Sequence, residues 1–131
     1  MAGENGKSVL LVDDDKFLLD MYSLKFTQEG FNVIPCFSVA EALTSLRGGA
    51  KPDVILFDIT MPGQDGFEFL KTVRDEKLAS GARLIALTNQ SNDADRKHAE
   101  ELGAQKYVVQ ASMIPSEVVA LVKQEIGLAK K

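Results

Sequence analysis

Cysteine and histidine are almost absent from this chain, with one of each in 131 residues. A lone cysteine excludes an internal disulfide and a multi-cysteine metal site. Cys36 lies in an apolar run, where it reads as a small buried side chain and not as a reactive thiol. No stretch approaches the roughly 20 consecutive apolar residues that a membrane-spanning helix needs. The opening MAGENGKS lacks the apolar centre of a secretion signal. Residues 1–7 are therefore expected to be a disordered lead-in, and the protein is expected to be cytoplasmic. Positive charge is short as well. Lys and Arg total 15 against 19 Asp and Glu, a net charge of −4, so broad attraction to nucleic acid is not expected. Lys130 and Lys131 are too few to form a binding arm. Repeats, low-complexity segments and linkers are also missing. What is present is 45 % hydrophobic and 26 % charged, a balance that suits one globular domain with one hydrophobic core.

The apolar residues alternate between two rhythms. Short runs rich in Val, Ile and Leu cover Val9 to Val12, Phe31 to Phe37, Val54 to Phe57, Arg83 to Leu87 and Tyr107 to Val109. The first, third and fourth are nearly continuous, as in parallel strands covered on both faces. Helical spacing fills the gaps. A first helix is expected from about Lys16 to Glu29, stopped by Gly30. A second starts at Ser38 with the capping-box pattern Ser38-Val-Ala-Glu41, lays Val39, Ala42, Leu43 and Leu46 on one face, and ends at Gly48-Gly49. Asp65 and Glu68 announce a third, burying Phe67, Leu70 and Val73. A fourth runs from about Asn92 to Leu102 and closes at Gly103. A fifth opens at Pro115 and buries Val118, Val119, Val122 and Ile126. Strand and helix repeated five times imply an α/β doubly wound (βα)5 fold of flavodoxin-like type, because parallel strands need crossovers. Pro35 cannot donate to a sheet ladder, so the second strand belongs at an edge. The sheet order 2-1-3-4-5 satisfies that.

In such a sheet, ligands bind beyond the carboxyl ends of the strands, at the point where strand order reverses. Strand one ends in Asp13, Asp14 and Asp15, strand three in Asp58, and strand four in Thr88. Neighbouring carboxylates raise one another's pKa unless a cation offsets them. Mg²⁺ fits, since it prefers a few carboxylate oxygens together with waters and a phosphate. Zinc does not, because no His or Cys stands near. An isolated aspartate at a strand end would be a helix cap or a solvated loop residue, and Asp15 and Asp65 are read that way. Asp13 and Asp14 at one strand end, Asp58 at a second and Thr88 at a third agree, which favours chemistry: a carboxylate beside a metal, attacking a phosphoryl donor to form an aspartyl phosphate.

Four segments, VLLVDDD, DVILFDITMPGQDGFEFL, LIALT and LGAQKYVV, resemble the receiver domain of bacterial response regulators, over about Ser8 to Ile126. The run Asp58-x-x-Met61-Pro62-Gly63-x-Asp65-Gly66 is its most specific piece. The resemblance implies a receiver domain over 8–128, with 129–131 as a tail. Asp13 and Asp14 become the acidic pair that holds Mg²⁺, Asp58 the phosphoacceptor, and the Thr60 backbone carbonyl a further metal ligand. Thr88 becomes the hydroxyl that contacts the phosphoryl oxygens, and Tyr107 the switch aromatic that turns inward as the threonine moves. The family's Lys-Pro after strand five is replaced by Gln110-Ala111. A lysine there supplies a charge-assisted hydrogen bond of about 1.5–3 kcal/mol, whereas Gln110 donates without charge. Asn89 stands where a small gating residue is usual, and Thr60 and Gln90 stand at positions that tune self-dephosphorylation.

The implied function is a single-domain response regulator, a signalling switch and not a classical enzyme, which assists its own Mg²⁺-dependent phosphotransfer and dephosphorylation. A histidine kinase or histidine phosphotransfer protein would donate. The output would reach a protein partner through the face made by the fourth helix, fifth strand and fifth helix, with no direct nucleic-acid or membrane partner. Met1 and the polar tail suit a natural chain, with a receiver excised from a longer protein as the alternative. A second functional class is a pseudo-receiver, a constitutive interaction module whose altered position 110 signals a lost switch. A phosphatase of the haloacid dehalogenase kind needs a second aspartate two residues after the nucleophile, where Thr60 stands. His98 and Arg96-Lys97 read as solvated helical surface, and Gly48-Gly49 as a helix stop.

Overall fold

A computed structural model describes residues 6–59, 66–78, 81–88, 93–109 and 114–127. Strands and helices alternate: β1 (Ser8–Val12), α1 (Lys16–Gln28), β2 (Asn32–Cys36), α2 (Val39–Arg47), β3 (Val54–Asp58), α3 (Gly66–Glu76), β4 (Arg83–Thr88), α4 (Asp93–Glu101), β5 (Lys106–Val109) and α5 (Pro115–Glu125). All four strand pairings are parallel, in the order β2-β1-β3-β4-β5. This is the doubly wound order read from the sequence.

Successive side chains of a strand point to opposite faces, and here both faces are filled. Leu10, Val12, Ile55, Phe57 and Ala86 pack with residues of α2, α3 and α4. Val9, Leu11, Val54, Leu56, Ile85, Leu87 and Val108 pack with α1 and α5. Each fully buried Val, Leu, Ile or Phe contributes about 1.5–3 kcal/mol. The continuous apolar runs are thus the sequence record of a sheet with no wet face. Pro35 lies opposite Leu11 on the outer strand. The Asn32 N–H donates to the Lys7 carbonyl and the Cys36 carbonyl accepts from Asp13, so even-numbered residues of β2 face β1 and the odd ones face outward. Pro35 therefore costs no ladder bond.

Local signals set the helix ends. The Asp15 side chain accepts the Leu18 N–H at 3.2 Å and starts α1. At its other end Gly30 has φ 91°, in the left-handed region. There the Gly30 N–H reaches Thr27 and the Phe31 N–H reaches Phe26, both at 3.0 Å. Phe31 closes the turn with its ring edge-on to Phe26 at 5.1 Å. Ser38 accepts from the Glu41 N–H at 3.0 Å, and Glu41 returns to the Phe37 N–H at 2.7 Å. The same left-handed stop ends α3, but with Lys77 at φ 55° in place of glycine.

Two core assignments change. In α3 the fully buried aromatic is Phe69, tilted against Phe57 at 5.5 Å, while Phe67 is only half-buried. Ile126 lies one residue beyond α5 and is partly buried against the α1/α5 core. Asp65, proposed as the α3 cap, lies outside the described residues, as do Asn89, Gln90, Ala111, Lys130 and Lys131.

Candidate functional site

β1 runs out at Val12, which lies opposite Phe57 of β3, and Asp58 lies opposite Leu87 of β4. The next residue on β1 is Asp13 and the last on β4 is Thr88, so the topology brings all three strand ends to one rim. Two backbone bonds extend the sheet there: Asp13 N–H to the Cys36 carbonyl and Ile59 N–H to the Leu87 carbonyl, both at 3.1 Å. Among the described residues, the polar side chains that are buried are Asp13, Asp58 and Thr88, at 4 %, 6 % and 2 % exposure. Polar groups are seldom buried without a purpose, and these three are the ones singled out by position.

Asp13, exposed Asp14 and Asp58 each offer a carboxylate oxygen, and those oxygens lie within 4.8 Å of one another. One Asp13 oxygen, Oδ1, accepts the Asp15 N–H at 2.9 Å. The other, Oδ2, is buried with no hydrogen-bond partner, so the carboxylate keeps an unused acceptor. Burial, seconded by the carboxylates of Asp58, Asp14 and Asp15, pushes Asp13 up to about 6 against the pull of the Asp15 N–H. A group of oxygen donors that penalise one another's charge, with an unsatisfied lone pair among them, fits a hard divalent cation. Thr60, whose carbonyl the family resemblance makes a further metal ligand, lies outside the described residues, as does Gln110.

Gly66 lies against this rim. A Cβ there would sit 2.6 Å from Ile59 Cα, so only glycine lets the first turn of α3 approach the residue that follows Asp58. On the other flank, Tyr107 lies opposite Ala86 on β5, half-buried against the α2/α3/α4 core. Arg96 of α4 lies over its ring, the guanidinium carbon 5.3 Å from the centroid. Arg96 is thus more than solvated surface. Exposed His98 also has a partner, stacking on Phe67 with centroids 4.3 Å apart. No spacing rule announces either contact, since each depends on how α4 lies across its neighbours. Cys36 is buried in β2, and burial pushes its thiol upward.

With this geometry in place, comparison with known proteins is decisive: the response regulator receiver domain matches residues 9–122. The chain belongs to that family. As a receiver domain of a two-component response regulator it is a signalling switch with a phosphorylatable aspartate. The DNA-binding response regulator MtrA of Mycolicibacterium smegmatis is 31 % identical over 118 residues, 90 % of this chain and 50 % of MtrA. The transcriptional regulatory protein YvrH of Bacillus subtilis is 32 % identical over 120 residues, 91 % of this chain and 48 % of YvrH. The chain therefore spans about half the length of these curated relatives. A CheY-like receiver domain from Methanospirillum hungatei superposes with a TM-score of 0.83 at 26 % identity, covering 92 % of this chain and 94 % of that one. The chemotaxis response regulator CheY4 of Vibrio cholerae gives 0.81 at 28 % identity, covering 92 % and 98 %. Among the described residues of this receiver, no helix is long and apolar enough to cross a membrane.

Proposed function

We propose that this receiver takes its phosphoryl group on Asp58, from a histidine kinase or histidine phosphotransfer protein, and passes the signal to a protein partner by a change of conformation. The observation that carries the reading is the meeting of the Asp13, Asp14 and Asp58 carboxylates, together with the unpartnered Asp13 Oδ2 and buried Thr88 on the adjoining strand end. Asp13, Asp14, Asp58 and the Thr60 carbonyl would hold Mg²⁺, whose positive charge offsets the carboxylates and the transferring oxygens. An Asp58 oxygen attacks phosphorus, the P–O bond forms, and the P–N bond to the donor's imidazole breaks. The β3 backbone fixes Asp58 at the rim, and Gly66 at the start of α3 lies close against Ile59, the residue that follows Asp58. Thr88 then hydrogen-bonds the new phosphoryl oxygens. The space it vacates lets Tyr107 turn inward, shifting a pre-existing equilibrium of the α4–β5–α5 face that meets the partner. Gln110, without the usual lysine charge, weakens the hold on the phosphoryl group and so the drive to the switched state.

Incubation with acetyl phosphate and Mg²⁺, followed by intact mass, tests this. One phosphoryl adduct on the native chain, and none on Asp58→Asn or with the metal chelated, is the expected result. An adduct that persists in Asp58→Asn would sink the assignment. Absence of both adduct and Mg²⁺ binding would favour a constitutive interaction module instead.

A further inference from the structure

The α4 helix is weakly anchored. Six of the nine residues of its sequence, DADRKHAEE, are charged, and Ala99 is its one buried residue. A helix with so narrow an apolar stripe depends on contacts at its flanks. Two are aromatic: His98 stacks on Phe67 of α3, and Arg96 lies over Tyr107 of β5. The second involves the ring that the proposed function sets in motion. A guanidinium within about 6 Å of a ring centroid is attracted by the negative face of the π-system, and the 5.3 Å found here satisfies that. Tyr107 is half-buried, pressed on one side against the α2/α3/α4 core. Its ring therefore has apolar packing within and a cation over it.

We propose that Arg96 is a positioning residue for Tyr107: its guanidinium holds the ring in the half-buried position, so that the inward turn of Tyr107 must break the contact and loosen α4 from β5. The inference rests on reading Tyr107 as the switch aromatic, and it adds a restraint that opposes switching. Exposed contacts of this kind shift an equilibrium about two- to fivefold.

The test uses the full chain with isotope-labelled tyrosine. The χ1 rotamer populations of Tyr107 are read from three-bond couplings in Arg96→Ala and Arg96→Met, with circular dichroism to verify folding. Methionine keeps an apolar stem of similar reach but no charge. Both variants should move the Tyr107 rotamer ratio about two- to fivefold away from the native value. They should also bind beryllofluoride with Mg²⁺, a phosphoryl mimic, tighter by a similar factor. An unchanged ratio in Arg96→Ala overturns the proposal. So does an Arg96→Met chain that behaves like the native one, because packing alone would then hold the ring. A rotamer shift with unaltered beryllofluoride affinity overturns it too, since the restraint would not oppose switching. Failure of the native chain itself to bind beryllofluoride would count against the proposed function, while the rotamer measurement needs no ligand and still decides whether Arg96 holds the ring.

Discussion

Asp13 is the residue on which the site's electrostatics turn. Its carboxyl is held at about 6 in the folded chain, first by burial and then by the neighbouring carboxylates, against 3.8 in an unfolded one. Between those values the folded state keeps a proton that the unfolded state has released, so stability falls as pH rises through that window. At 1.36 kcal/mol per pKa unit the loss reaches about 3 kcal/mol at most. Chemical denaturation in chelator should show the chain less stable at pH 7 than at pH 4.5 on this account. Asp13→Asn should remove the slope and raise stability at pH 7 by about 1–3 kcal/mol, while abolishing Mg²⁺ affinity. A metal-free pH profile unaffected by Asp13→Asn would contradict this. Asp13, Asp58 and Thr88 were legible in the sequence because each stands where an apolar run stops, and a parallel sheet sends all such ends to one rim. Arg96 was not, because Arg96-Lys97 has the pattern of an ordinary wet helix face and its partner lies on another element.

At the scale of the element, the helix stops show how much local chemistry decides. Gly30 adopts φ 91° without cost, whereas Lys77 adopts 55° with a Cβ to accommodate. The backbone bonds there match those after α1, with the Leu78 N–H to Val73 at 3.0 Å and the Lys77 N–H to Arg74 at 3.2 Å. A left-handed non-glycine residue costs about 1–2 kcal/mol, and glycine loses about 0.5–1 kcal/mol in chain entropy. Lys77→Gly should therefore stabilise the chain by about 0.5–1 kcal/mol, read as a higher urea midpoint with an unchanged m-value. A lower midpoint would show that the lysine is making a contact worth more than its strain. The ends of α1 and α2 were readable from Asp15, Ser38 and Gly30 for the same local reasons. The rotation of α3 was not. Phe67 and Phe69 flank Glu68, and either phase aligns an aromatic with Leu70 and Val73. What chose Phe69 was Phe57 on the sheet beneath, a partner that sequence spacing does not name.

At the scale of the whole molecule, the described residues form two core layers with the sheet between them, and the same strands supply both. Neither core can persist without the other, so unfolding should be a single transition. Phe26→Ala on the α1/α5 side and Phe69→Ala on the α3 side should each destabilise that transition by about 3–5 kcal/mol. Far-ultraviolet circular dichroism and tyrosine fluorescence should trace coincident curves for both variants. Two separated transitions in either would mean that the layers melt apart.

The outer strand keeps its own kind of order. Its free side carries Pro35 where an N–H would otherwise point into solvent. Open strand edges are where one chain zips onto another and fibrils begin. Here the template is missing a rung, so concentrated protein is shielded on that side from piling up edge to edge. Pro35→Val should leave the fold intact yet hasten turbidity on prolonged warming, followed by light scattering, and equal rates would show that other features guard this edge.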